Sequence, residues 1–209
     1  MSTSSWDHNA FYHSLLLRHL PPTCERILDV GCGTGDFATR LAIGATHVDA
    51  LDRSPIMIEA ARRRVPGNVT CIQADALDPA LRLGPYDAIT SIATLHHMPL
   101  PSALSRLASW LRPGGVLAAI AVLRSDLPRE LPVEAAAVVF THVRGRALAT
   151  ERLLRRNSCP AAGGLMPVRD PDLTFRHVRR QARAELPGVH VRRLLLWRYL
   201  LVWHKPHDH

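Results

Sequence analysis

The chain has 209 residues, 47% hydrophobic and 21% charged, a balance that fits one folded domain with a sizeable core and excludes disordered, collagenous and disulfide-dense classes. Its net charge of +8 is uneven: ten arginines offset ten acids through Leu123, and sixteen basic residues face eight acids from Arg124 onward. An arginine-rich half could meet an anionic partner, but aromatic residues at 5% give no stacking platform for single-stranded nucleic acid, and the simpler reading of such a run is a solvated face.

In chain order, Trp6, Asn9 and His13 share one face of a helix that Pro21 and Pro22 end. This start lacks the basic-then-apolar pattern of a secretory leader. Residues 26–30 are an apolar run that predicts a buried parallel strand. The turn Gly31-Cys32-Gly33-Thr34-Gly35 follows and opens a helix with Phe37, Leu41 and Ile43 on its apolar face. A second strand at 46–51 ends at Asp52; Ser54 is then an N-cap with Pro55 at the first helical position. That helix runs through Met57, Ile58 and Ala61 to Arg62, Arg63 and Arg64, whose charge suits its C-terminus. Residues 69–73 form a third strand ahead of Ala74-Asp75-Ala76, and 86–92 a fourth, followed by Ala93 and the pair His96-His97.

An amphipathic helix at 101–111 leads into the turn Leu111-Arg112-Pro113-Gly114-Gly115 and a fifth strand at 116–122. The longest apolar run, 116–123, is far short of a membrane span. Residues 132–156 read as a helix and 157–167 as a loop. Asp170 caps a further helix with Pro171 at its first position, running to residue 185. Strands at 189–195 and 198–202 close the chain ahead of a frayed tail at 204–209. Cys24, Cys32, Cys71 and Cys159 show neither C-x-x-C pairing nor zinc spacing, so reduced thiols in a cytoplasmic protein, with no metal, are expected.

Strand, glycine turn and helix open a nucleotide-binding βαβ unit. Here the spacing is G-x-G-x-G, not the dinucleotide G-x-G-x-x-G, and Asp29 stands directly before the turn. That carboxylate would repel a pyrophosphate and hold an ammonium group. Asp52 is placed to accept both ribose hydroxyls of an adenosine, and Asp75 is a third acid at a third strand end. In an open parallel sheet, three such acids converge on one crevice. The run Leu28-Asp29-Val30-Gly31-Cys32-Gly33-Thr34-Gly35 closely matches the first motif of the class I (Rossmann-like) S-adenosylmethionine-dependent methyltransferases. The chain resembles that family over residues 27–122, the turn at 111–115 included.

The resemblance implies a single α/β domain over residues 1–209, with a mostly parallel seven-stranded sheet, helices on both faces and an antiparallel last strand. Within it, 1–22 would form an N-terminal lid, 23–123 the cofactor-binding core, 124–168 an acceptor-site insertion, and 169–209 a closing helix and strand pair. It implies methyl transfer from S-adenosylmethionine to a small-molecule acceptor by in-line displacement. Asp29 and the backbone of Gly31, Cys32, Gly33 and Gly35 would hold the methionine end, and Asp52 the ribose. Arg53, Met57, Asp75 and Ala76 would surround the adenine, and Ile92 and Ala93 would lie beside the methyl group. His96 would take a proton from the acceptor, since histidine titrates near neutrality. His13 and Tyr12 would face the acceptor from the lid, or else dock a terminal helix onto the core. A monomer or homodimer without a membrane partner is expected. Absence of an Asn-Pro-Pro-Tyr type tetrapeptide after the fourth strand counts against nucleic-acid adenine methylation. Two alternatives stay open: an RNA-binding or RNA-methylating protein using the arginine-rich half, and an NAD(P)-dependent oxidoreductase built on the same βαβ unit.

Overall fold

The computed structural model describes residues 8–124, 172–195 and 197–207. Trp6, the expected helix at 132–156, the loop at 157–167, Cys159, and the cap formed by Asp170 and Pro171 lie outside the described residues, as does nearly all of the expected acceptor-site insertion.

Seven strands form one sheet: β1 (Cys24–Val30), β2 (Ala45–Asp52), β3 (Val69–Gln73), β4 (Tyr86–Ile92), β5 (Leu111–Val122), β6 (His190–Leu194) and β7 (Arg198–His204), in the order β3-β2-β1-β4-β5-β7-β6. From β3 to β5 all pairs are parallel, whereas β7 runs antiparallel to both β5 and β6. The helices among the described residues are α1 (His8–Leu17), α2 (Asp36–Leu41), α3 (Pro55–Arg62), α4 (Leu100–Trp110) and α5 (Phe175–Glu185), with a 3-10 turn at Leu95–His97. This is the expected single α/β domain.

Alternation along the strands divides the core into two layers, because successive side chains leave a strand on opposite faces. Val116, Ala118 and Ile120 of β5 join Leu16 of α1, Phe37 and Leu41 of α2 and Ile58 of α3. Leu117, Ala119 and Ala121 join Leu104 and Leu107 of α4 and Val178 and Ala182 of α5. Each face of the sheet is therefore covered, which is what lets its central strands be apolar on both sides.

Four local features differ from the sequence reading. Helix α2 ends at Leu41, so Ile43 lies beyond it and is 88% exposed. The expected turn at 111–115 is instead the start of β5: Leu111 pairs with Tyr86, and a register shift between Tyr86 and Ala88 absorbs Pro113 and the two glycines. Helix α5 begins at Phe175 after Thr174. The tail is docked through residue 207 rather than frayed. Lys205, the single lysine of the chain, donates from Nζ to Ala108 O (3.1 Å) and Leu111 O (2.7 Å), satisfying carbonyls at the C-terminus of α4, while its backbone pairs with Gly114 and Gly115.

Two buried acids tie neighbouring strands of the sheet together. Asp49 accepts from Tyr86 Oη at 2.7 Å, Arg26 Nη2 at 2.8 Å and His47 Nε2 at 3.1 Å. Asp87 accepts from the backbone N–H of Glu25 (2.6 Å) and Arg26 (2.7 Å) and pairs with Arg112. Both are structural, each carboxylate being matched by several donors.

Candidate active site

The strand order reverses between β1 and β4, and an open α/β sheet has its crevice at that switch point, outside the C-terminal strand ends. A cavity of about 170 Å³ lies there. Its wall includes Gly31 after β1, Asp52, Arg53 and Met57 after β2, Asp75 and Ala76 after β3, and Ile92 and Ala93 after β4. Eight of the expected cofactor-binding residues are thus together. Asp29, Cys32, Gly33 and Gly35 do not form the cavity wall; they lie beneath it or in the turn itself.

The turn is stitched to β2. Leu51 O accepts from the N–H of Gly31 (2.7 Å) and Cys32 (3.0 Å), and Gly35 N–H donates to Cys32 O at 3.0 Å. Gly33 N–H donates to Asp52 Oδ2 at 3.0 Å, and Ser54 N–H to Asp52 Oδ1 at 2.9 Å. A phosphate-cradling loop keeps such N–H groups for its ligand; here they are spent inside the fold, and a carboxylate stands where an anion would sit. Each Asp52 oxygen, having accepted one bond, retains capacity for a ligand hydroxyl. The same geometry explains Gly31, which has φ +74° and lies under the Thr94 side chain, where any Cβ would collide. Thr94 is brought there by Ala93, a non-glycine residue at φ 53°, a conformation that costs about 1 kcal/mol or more.

Asp29 is 2% exposed and accepts from Thr90 Oγ1 at 2.9 Å. Burial raises its carboxyl to about 7, the Thr90 hydrogen bond opposing this and the Asp52 charge adding to it. Cys32 is also buried, and desolvation pushes its thiol well above the usual range. Asp75 Oδ1 accepts from Leu77 N–H at 2.8 Å, which fixes the loop after β3.

A second, larger cavity of about 300 Å³ adjoins the first, sharing His97 and Met98 with it. Its wall is largely apolar (Leu95, Leu100, Val122, Leu173 and Tyr199 among others) and includes His96. Burial, with His97 and Arg198 adding, pushes His96 down to about 4, so its imidazole is neutral at physiological pH. The His96 and His97 rings are 4.0 Å apart at 40° on the 3-10 turn, and no group able to hold a metal occurs among the described residues.

His13 and Tyr12 line neither cavity. Tyr12 is buried in the α1–α2 face of the core and donates to Leu195 O at 2.8 Å; His13 packs on Phe37 at 4.7 Å and meets Arg40 Nη1 at 3.5 Å. Both therefore take part in docking α1. Sequence reading missed Thr90 and Thr94, whose contacts depend on neighbours distant in the chain, and Gln181, which lines the larger cavity. His97 and Met98 were legible only as neighbours of His96.

A family profile described as "Methyltransferase domain" matches residues 27–115. An uncharacterized methyltransferase of Mycobacterium tuberculosis is 32% identical over 206 residues, covering 96% of this chain and 98% of its own. A ubiquinone biosynthesis O-methyltransferase of Xylella fastidiosa is 37% identical over 107 residues, 48% of this chain and 43% of its own. Among solved structures, the N-methyltransferase NodS of Bradyrhizobium japonicum with S-adenosyl-l-homocysteine shares the fold at a TM-score of 0.61 and 15% identity, over 96% of this chain and 90% of its own. No helix among the described residues is long and apolar enough to cross a membrane. The acid-lined crevice, the internally bonded glycine turn and the full-length relative agree: this chain belongs to the S-adenosylmethionine-dependent methyltransferases.

Proposed function

We propose that this enzyme methylates a small molecule held in the larger cavity, with His96 receiving the proton the acceptor loses. The observation that carries this reading is the seam at His97 and Met98, where the two cavities meet. A cavity of about 300 Å³ is of the size and apolar character that small-molecule sites have. The Xylella relative, named for ubiquinone biosynthesis, supports an acceptor of that kind.

S-adenosylmethionine, when bound, supplies a methyl group already activated on its sulfonium. The chain's own contribution is to bind and orient. Asp52, which anchors Gly33 and Ser54, would accept the ribose hydroxyls, and Asp75, the Ala76 backbone, Met57 and Arg53 would hold the adenine. Asp29 would supply negative charge for the ammonium group of the methionine end. The apolar wall of the larger cavity excludes water and holds the acceptor against the seam, so proximity supplies most of the acceleration. His96 need not be a strong base. An acceptor O–H or N–H becomes far more acidic as its new bond to carbon forms, so a neutral imidazole can take the proton.

The test is methyl-label incorporation from S-adenosylmethionine with hydroxylated and amino small molecules, total RNA and protein as competing acceptors. Label in the small-molecule fraction is expected, and His96→Ala should lower kcat about 100-fold at unchanged S-adenosylhomocysteine affinity. Label confined to RNA or protein would sink the reading.

A further inference from the structure

The polar atoms in the largely apolar wall of the larger cavity include His96 Nδ1 and Gln181 Oε1. His96 Nδ1, on the 3-10 turn, and Gln181 Oε1, on α5, are buried and have no hydrogen-bond partner among the described residues; both residues line this cavity. Leaving such atoms unpaired is costly, and folded chains keep them where something else supplies the partner. Gln181 is set for that purpose by its place on α5. It follows the buried Val178 by three positions and precedes the buried Ala182, so it shares the helix's inward side, while Arg176, Arg179, Arg180 and Arg183 are exposed. The arginine-rich character of this segment is thus a solvated face, and Gln181 is the polar residue that α5 contributes to the cavity wall.

The charge of the wall narrows the ligand further. Among the described residues that line the cavity there is no lysine or arginine, so none of them would give a carboxylate or phosphate a direct counter-charge. The one acid among the described residues of the wall, Asp172, is exposed and has an interaction of its own.

Resting on the reading that a small-molecule acceptor occupies this cavity, we propose that Gln181 is a specificity-determining residue. The acceptor it selects is an uncharged, largely apolar molecule with two O–H or N–H donors, one reaching His96 at the methylated atom and one reaching Gln181. An analogue lacking the second donor leaves the Gln181 carbonyl unpaired, and a site built to accept a hydrogen bond discriminates strongly against that.

The full chain saturated with S-adenosylhomocysteine is titrated calorimetrically with 1,2-dihydroxybenzene, methoxybenzene and benzoate. The dihydroxy probe should bind saturably and at least about tenfold more tightly than the other two. Gln181→Met, of similar shape and without the amide, should abolish that preference, while its S-adenosylhomocysteine affinity, which reports correct folding, stays unchanged. Gln181→Glu, which keeps an accepting oxygen, should retain the preference. An unchanged preference in Gln181→Met, loss of it in Gln181→Glu, or tightest binding of benzoate would each overturn the assignment while leaving a small-molecule site in place. Failure of all three probes to bind the complex would overturn both the assignment and the small-molecule reading beneath it.

Discussion

Burial moves Asp29 and His96 in opposite directions, and inverts their usual order. A carboxyl group loses its charged form to desolvation and rises; an imidazolium loses its charged form and falls. Asp29 therefore titrates at about 7 and His96 at about 4. His96 is already neutral wherever the enzyme works, and the acid limb expected near neutrality is that of Asp29. An ammonium group beside Asp29 requires the carboxylate. Cofactor affinity should accordingly weaken about tenfold per pH unit below 7 and level off above it. For the free protein the sign reverses. The folded pKa lies above the ordinary carboxylate value near 4, so Asp29's contribution to stability is full below about 4 and is lost as pH rises through about 7. Thr90→Val removes the hydrogen bond that holds the Asp29 carboxyl down, and should move the binding limb to higher pH. Titrations of S-adenosylhomocysteine from pH 5.5 to 8.5 decide this; a pH-independent dissociation constant in both proteins would remove Asp29 from the ammonium site. Position in the sequence made Asp29, Asp52 and Asp75 legible, because an acid at a strand's C-terminal end faces the crevice. Asp49 of β2 and Asp87 of β4 are strand acids with structural roles, and the sequence reading passed over them. The Thr90 contact was out of reach, since it depends on which strand lies beside β1.

At the scale of elements, the tightest constraint is the meeting of β1 and β4 at their C-terminal ends. Gly31 lies under Thr94, whose hydroxyl donates to Ile92 O at 3.1 Å, and Ala93 adopts a left-handed conformation to bring Thr94 there. The glycine is therefore required by the fold as much as by the ligand. Gly31→Ala would combine a left-handed φ with a collision against a packed side chain, and should destabilise the protein by about 2–4 kcal/mol. Adding Thr94→Gly opens the space but leaves the backbone penalty, so the double variant should recover part of the loss and no more. Chemical denaturation of the two variants measures it, and a Gly31→Ala protein as stable as the parent would show that the turn can shift away from β4. Strands and helices with strong apolar periodicity were legible, as was the Ser54 cap, whose Oγ accepts from Met57 N–H at 3.4 Å. Ends were less so. Leu111 to Gly115 carries turn residues, and only the partner strand Tyr86–Ile92 shows that they extend β5. Likewise Lys205 reads as tail until α4 is seen to end beside it.

For the whole molecule, the question is which nucleotide the crevice stabilises. Two members of this fold class of similar shape can bind different ligands, and the difference here lies in how the glycine turn is used. The N–H groups of Gly31, Cys32 and Gly33 are bonded to Leu51 O and Asp52, and Asp29 and Asp52 place two carboxyl groups at the turn. A pyrophosphate finds those three donors already bonded and no favourable charge there, whereas an ammonium-bearing nucleoside would find both acids useful. Ligand that binds only the folded state raises stability by mass action, about 2.7 kcal/mol at a hundred times the dissociation constant. For a domain of 209 residues that is a rise in melting temperature of about 5–11 °C. S-adenosylhomocysteine should produce such a rise and NADH none. Asp52→Asn, which retains one oxygen for the Gly33 or Ser54 N–H, should reduce the rise more than it lowers the melting temperature of the free protein. Asp52→Ala would unstitch the turn as well, and so confound binding with folding. Equal stabilisation by NADH would mean that the turn opens to release its N–H groups, and the electrostatic account of Asp29 and Asp52 would fall with it.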